Sequence, residues 1–174
     1  TGSGTSYHSG LQMSQKMQAL LKMDVRAMYP FEITEDTFLT DNEQTLVVGI
    51  SQGGSSYSTY KAMKIAKEQG CMTASMAGVE NAYIDEVAVA CGEELAGAKT
   101  KGFYCTKLNL LLLALYIGSE KGMISDESFN SEIAEVKKAT KHFRSVFDAS
   151  EKWIEEHKES LKEIKDIRIT GPAL

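Results

Sequence analysis

The sequence predicts an α/β fold in which a parallel sheet carries helices on both faces. Three observations lead there. Residues 45–50, Thr-Leu-Val-Val-Gly-Ile, form a β-branched run with little polar alternation, the pattern of a strand buried on both sides. Strand-like and helix-like segments alternate after it, which favours parallel strands joined by right-handed crossovers. Three loops rich in Gly, Ser or Thr each open onto a helix-like segment: Thr1-Gly2-Ser3-Gly4-Thr5-Ser6, Ser51-Gln52-Gly53-Gly54-Ser55-Ser56, and Gly92-Glu93-Glu94-Leu95-Ala96-Gly97-Ala98-Lys99-Thr100.

The elements follow in order. Leu11, Met13, Met17, Leu20 and Leu21 recur at helical spacing, and residues 24–29 read as extended. After the strand at 45–50, Thr59, Ala62, Met63 and Ala66 mark one face of a helix over 56–69, with Gly70 as its stop. Residues 72–77 and 87–91 read as two further short strands. From residue 100 the character turns helical. Residues 103–117 make a long apolar helix broken by Gly118 and Gly122, and residues 127–147 an amphipathic one. Asp148-Ala149-Ser150-Glu151 resembles a helix-start box, and Trp153, His157, Leu161 and Ile164 form a stripe on the helix expected after it. The Glu and Lys runs of this half suit a solvated face.

With 174 residues, 43% of them apolar, the chain is long enough for one domain with a full core. Residues 1–147 are expected to form it, and residues 148–174 a helical linker and a strand. The chain opens in a Thr-Gly turn with no strand before it and closes on a strand-like run at 167–174. The expectation is a piece whose first strand is missing and which leads into a second similar unit. Net charge is −5 with Lys and Arg scattered, which argues against nucleic acid, whose partners carry a basic patch. Cys71, Cys91 and Cys105 are odd in number and far apart, as free thiols of a cytoplasmic protein would be. They show no ligand spacing with His8, His142 or His157, so no metal is expected. No signal peptide is visible, and the most apolar run, 110–117, is far shorter than the roughly 20 residues of a membrane span.

A loop at a helix start offers unpaired N–H groups and the positive end of the helix dipole, so it suits a phosphate; hydroxyls add donors and glycines allow close approach. Two familiar phosphate motifs fail. Gly2-x-Gly4 continues to Tyr7 where the dinucleotide fingerprint has its third glycine, and residues 92–100 are one residue too long for a Walker A loop. Neither NAD nor ATP is supported, and no cofactor is expected.

Residues 2–10, Gly-Ser-Gly-Thr-Ser-Tyr-His-Ser-Gly, resemble the G-x-G-T-S-Y-x-x-G start of the sugar isomerase (SIS) domain, as found in the isomerase half of glucosamine-6-phosphate synthase. Residues 51–56 stand where that family has S-Q-S-G-E-T, and residues 92–101 resemble its G-x-E-x-x-V-A-S-T-K segment. Order and spacing match over roughly residues 1–118. The resemblance implies a flavodoxin-like five-stranded parallel sheet in three layers, with a phosphosugar at the strand C-terminal ends. Gly4, Thr5 and Ser6 would then line the sugar; Ser51, Gln52 and Ser56, with Gly53 and Ser55, would hold the phosphate; Ala98, Lys99 and Thr100 would close the third side. Glu94 matches a family acid near the sugar and is the candidate catalytic group. Gly53 and Ser55 replace a family serine and glutamate, and Gly97 and Lys99 replace Val and Ser, so the sugar itself is left open.

In tandem SIS proteins the principal catalytic groups come from the second copy or a neighbouring subunit. The resemblance therefore implies the amino-terminal, phosphosugar-binding half of an isomerase, or of a deglycase acting on a fructosamine-type 6-phosphate. The alternative is a non-enzymatic phosphosugar sensor. Apolar, Met-rich helices beside an incomplete sheet lead to the expectation of a homodimer, with no membrane partner.

Overall fold

The computed structural model describes residues 1–78, 87–89, 92, 94–95 and 99–168. They divide into two compact units, residues 1–123 and 124–174.

In the first unit, α1 (Thr5–Leu21) is followed by an extended stretch and two single 3-10 turns, then β1 (Leu46–Ser51), α2 (Tyr57–Glu68), β2 (Met72–Ala77), β3 (Val87–Val89) and α3 (Thr100–Glu120). The three strands are parallel in the order β1-β2-β3, Val48 beside Ala74 and Ser75 beside Val87. Successive side chains of a strand point to opposite faces. Accordingly Val48 and Ile50 of β1 join Met13, Met17 and Leu21 of α1 and Leu110 and Ala114 of α3, whereas Val47 joins Ala62 and Ala66 of α2. The α/β arrangement, helices with a small parallel sheet, is as the sequence predicts. Helix α2 starts where expected because Ser56 accepts a hydrogen bond from Thr59 N, and it stops at Gly70, whose φ of +88° suits glycine. Gly49 leaves room for α2: a Cβ there would lie 2.7 Å from Met63 Sδ.

Some expectations meet a different structure. Helix α3 does not break at Gly118. It runs 21 residues, and its buried face includes Gly102, Ala114 and Gly118, small residues that let it lie close against α1. It therefore exceeds the apolar run read from the sequence. By length and hydropathy alone (mean hydropathy 1.2 over its most apolar window) it could cross a membrane, but Leu110, Ala114 and Leu115 are buried within this unit. Met28 packs against the core on the α2 side, whereas Met13 and Met17 lie on the other face of the sheet. Of the thiols, Cys71 is buried and Cys105 half-buried, neither in a disulfide; Cys91 lies outside the described residues.

The second unit holds α4 (Asp126–Lys162), one helix of 37 residues capped by Ser125, whose Oγ accepts from Ser128 N at 3.2 Å. The expected new start at 148–151 is absent: Asp148 and Ser150 are interior helical residues, and Ser150 Oγ donates to Val146 O. A cap box competes only where the chain has reason to leave the helix, and nothing at 147–151 supplies one. Residues 164–168 carry no regular structure, and the rest of the expected terminal strand lies outside the described residues.

Candidate functional site

The site is built from three junctions at the C-terminal end of β1 and β2. At the first, the chain start lies against β1: Ile50 N donates to Thr1 O at 2.7 Å, and Gly2 pairs with Ile50 in a parallel bridge. A Cβ on Gly2 would stand 2.7 Å from Ile50 O and 2.9 Å from Ser6 Cβ, so only glycine fits. Gly4, at φ +57°, turns the chain into α1. Thr5 and Ser6 form the first turn, Thr5 exposed and Ser6 half-buried. No side chain caps this helix and its first turn has no acidic residue.

At the second junction Ser51 ends β1 buried, its carbonyl accepting from Gly54 N at 2.9 Å across a turn closed by Gly54 at φ +65°. Ser51 Oγ accepts from Ser56 N at 3.4 Å, and Ser56 Oγ accepts from Thr59 Oγ1 at 3.0 Å. Gly53 and Ser55 are exposed on the outside of the turn. Again the first turn, here of α2, carries no acidic residue.

Glu94 organises the third. Its carboxylate accepts from Lys101 N at 3.0 Å and Gly102 N at 2.8 Å, so it caps the first turn of α3, and Lys99 Nζ donates to its carbonyl. Partial desolvation pushes the Glu94 carboxyl up, but the two backbone N–H groups and the charges of Lys101 and Lys99 outweigh it and hold it below the ordinary carboxylate range. The cap thus stabilises the fold at neutral pH and is lost as pH falls through that depressed value. Glu94→Gln should flatten the acid limb of the thermal-stability profile below about pH 4, where the unmodified chain loses the cap. An unchanged acid limb would show that the carboxylate does not stabilise α3. Thr100 is exposed at the first position of α3, and Ala98 lies outside the described residues.

Two contacts tie the junctions together. Ser9 Oγ on α1 reaches Phe103 O on α3 at 3.4 Å. The Gln52 side chain crosses from the second junction to the third, its Nε2 donating to Gly92 O at 3.5 Å. A Cβ on Gly102 would fall 2.6 Å from Gln52 Oε1, and one on Gly78 2.7 Å from Gln52 O. Gly2 belongs to the loop read from the sequence, whereas the close fit of Gly78 and Gly102 against Gln52 is a packing feature that sequence reasoning missed. A glycine at the first turn of the most apolar helix was the available signal.

Three helix N-termini therefore meet at one end of the sheet, with Ser and Thr hydroxyls between them. Glu94 already places a negative charge on α3, while the ends of α1 and α2 carry none. By charge alone the α1 and α2 ends suit an anion better than the α3 end does.

The SIS domain family model matches residues 1–116. Two curated relatives carry the name glutamine–fructose-6-phosphate aminotransferase [isomerizing]. That of Fusobacterium nucleatum is 29% identical over 168 residues, covering 94% of this chain and 27% of its own length. That of Helicobacter pylori is 32% identical over 129 residues, covering 71% and 21%. Among solved structures, a proposed phosphosugar isomerase of Clostridium difficile 630 is 59% identical with a TM-score of 0.85, covering 92% of this chain and 47% of that one. A proposed sugar-binding protein of Salmonella typhimurium LT2 is 37% identical with a TM-score of 0.79, covering 98% and 53%. The chain spans about a quarter of the curated relatives and about half of each of these structures.

Proposed function

The chain belongs to the SIS domain family, and from that premise we propose that it binds a phosphorylated sugar or amino sugar at the loop end of its sheet. The observation that carries this reading is the meeting of three helix N-termini at the strand ends, two of them free of acidic residues. The phosphate sits over residues 51–56, with the backbone N–H groups of Gly53 and Ser55 and the hydroxyls of Ser51, Ser55 and Ser56 as donors. Gly4, Thr5 and Ser6 line the sugar from one side, Ala98, Lys99 and Thr100 from the other. In this reading Glu94 positions α3 and, through it, the third wall.

The wider fold is the flavodoxin-like three-layer sheet, with a further parallel strand along the outer edge of β1. A cleft of about 590 Å3 runs there beside Leu46, Val48 and Met72, and the Thr1–Gly2 pairing already sets the direction of such a ladder. In the longer protein the chain is the binding half of a tandem isomerase or deglycase, cytoplasmic and homodimeric. The proton transfer between sugar carbons is then carried by groups outside these residues.

Calorimetric titration of this chain with fructose 6-phosphate and with fructose tests the reading. A phosphate held by several charge-assisted hydrogen bonds, each worth about 1.5–3 kcal/mol, makes the phosphorylated sugar bind at least about 100-fold more tightly. Equal affinity for the two, or heat from neither, overturns it.

A further inference from the structure

The family resemblance places Gln52 among the holders of the phosphate, but in the fold its polar groups are engaged elsewhere. Gln52 O accepts from Gly78 N at 2.8 Å, which pins the residue to the end of β2, and its Nε2 donates to Gly92 O at 3.5 Å. Resting on the phosphosugar reading, we infer that Gln52 is a positioning residue: it sets the distance from the phosphate loop to the third wall of the site, and so governs how the sugar is held without holding the phosphate.

Two glycines shape a notch for the carboxamide. A Cβ on Gly102 would lie 2.6 Å from Gln52 Oε1 and 2.8 Å from its Cγ; one on Gly78 would overlap Nε2 and stand 2.7 Å from Gln52 O and 2.9 Å from Gly92 O. Neither glycine has a positive φ, so it is not the backbone that calls for glycine at these places but the room taken by the Gln52 side chain. At Gly102 this room has a cost, because glycine in a helix gives up more backbone entropy than alanine does. Gly102 is also held by Glu94, whose Oε2 accepts from its N–H at 2.8 Å. The first turn of α3 is thus fixed by two partners, and Lys99 at the helix start and Thr100 at its first position take their place from that turn. Of the two partners only Gln52 belongs to the loop at 51–56, so the length of its side chain decides how far the third wall stands from the phosphate. Shortening it loosens that wall and leaves the N–H groups of Gly53 and Ser55 and the hydroxyls of Ser51, Ser55 and Ser56 in place.

Calorimetric titration of the full 174-residue chain with inorganic phosphate and with fructose 6-phosphate tests this, with a melting curve as the check that each variant folds. The parent is expected to bind both, the sugar phosphate more tightly. Gln52→Ala should cut the ratio of the two affinities about tenfold, by weakening the sugar phosphate and changing inorganic phosphate less than about twofold. Gln52→Met fills the notch with an unbranched chain that has no donor, and should keep the ratio within about threefold of the parent. Loss of both affinities by the same factor in either variant overturns the inference and makes Gln52 a phosphate holder. An unchanged ratio in a folded Gln52→Ala overturns it as well. Where Gln52→Ala does not fold, Gln52→Met decides alone, because loss of the carboxamide weakens inorganic phosphate only if that group holds it. A parent that binds neither ligand, or binds the sugar phosphate no better than phosphate, overturns the phosphosugar reading itself and the role of Gln52 with it.

Discussion

Valine in place of Gly102 is expected to remove phosphosugar binding while leaving the strand core formed. The Gln52 side chain lies where the new Cβ must go, 2.6 Å from Oε1 and 2.8 Å from Cγ, and two further methyl carbons deepen the overlap. Gly102 is buried in the first turn of α3, so the helix cannot turn the side chain out to solvent. Overpacking of this kind costs about 1–3 kcal/mol, and its relief runs through displacement of Gln52, the side chain that joins the second loop to the third. Affinity for fructose 6-phosphate should fall at least about 100-fold, together with a lowered melting temperature. Adding Gln52→Ala should recover most of the stability and little of the affinity. Full affinity in Gly102→Val would mean that the third loop does not help to form the site.

Ser51→Ala combined with Ser56→Ala should weaken phosphosugar binding by a few kcal/mol, about 1.5–3 for each lost charge-assisted hydrogen bond. The two hydroxyls also act on the protein itself. Ser56 caps α2, and its removal costs about 1 kcal/mol of stability, whereas buried Ser51 accepts from Ser56 N. The single variants separate the roles. Ser56→Gly keeps most of the helix start because glycine is a tolerated cap, so affinity lost in that variant reports on the ligand. Unchanged affinity in the double variant would move the phosphate away from residues 51–56.

Much of the sheet was legible because local pattern and tertiary role agree there. Residues 47–50 are covered on both faces by α1, α2 and α3, which is what an apolar run without alternation means, whereas Leu46 at the start of the strand is exposed; Ser56 and Gly70 mark helix ends that the fold uses. Helix α4 was misread for the opposite reason. Asp148-Ala149-Ser150-Glu151 has the composition of a cap, but Phe147 and Ile154 keep the seven-residue period through it, and the continuous helix satisfies every backbone group that a cap would serve. The three loops were legible as loops, yet their joining was not. The Gln52 to Gly102 contact spans 50 residues of chain, and no local pattern encodes which glycine makes room for which side chain. Glu94 shows the same limit: its match to a family acid is a matter of sequence, whereas its hold on Lys101 N and Gly102 N is a matter of geometry.

On the proposed reading the phosphate of a sugar sits at the α2 end of the sheet. This placement is tested most directly by following backbone amide resonances of the labelled chain during titration with fructose 6-phosphate. Saturable shifts should concentrate on the amides of Gly53, Gly54, Ser55 and Ser56, with smaller ones at Thr5 and Ser6 and none along α4. Shifts that spare residues 51–56, or that fructose reproduces at the same concentration, would contradict the account.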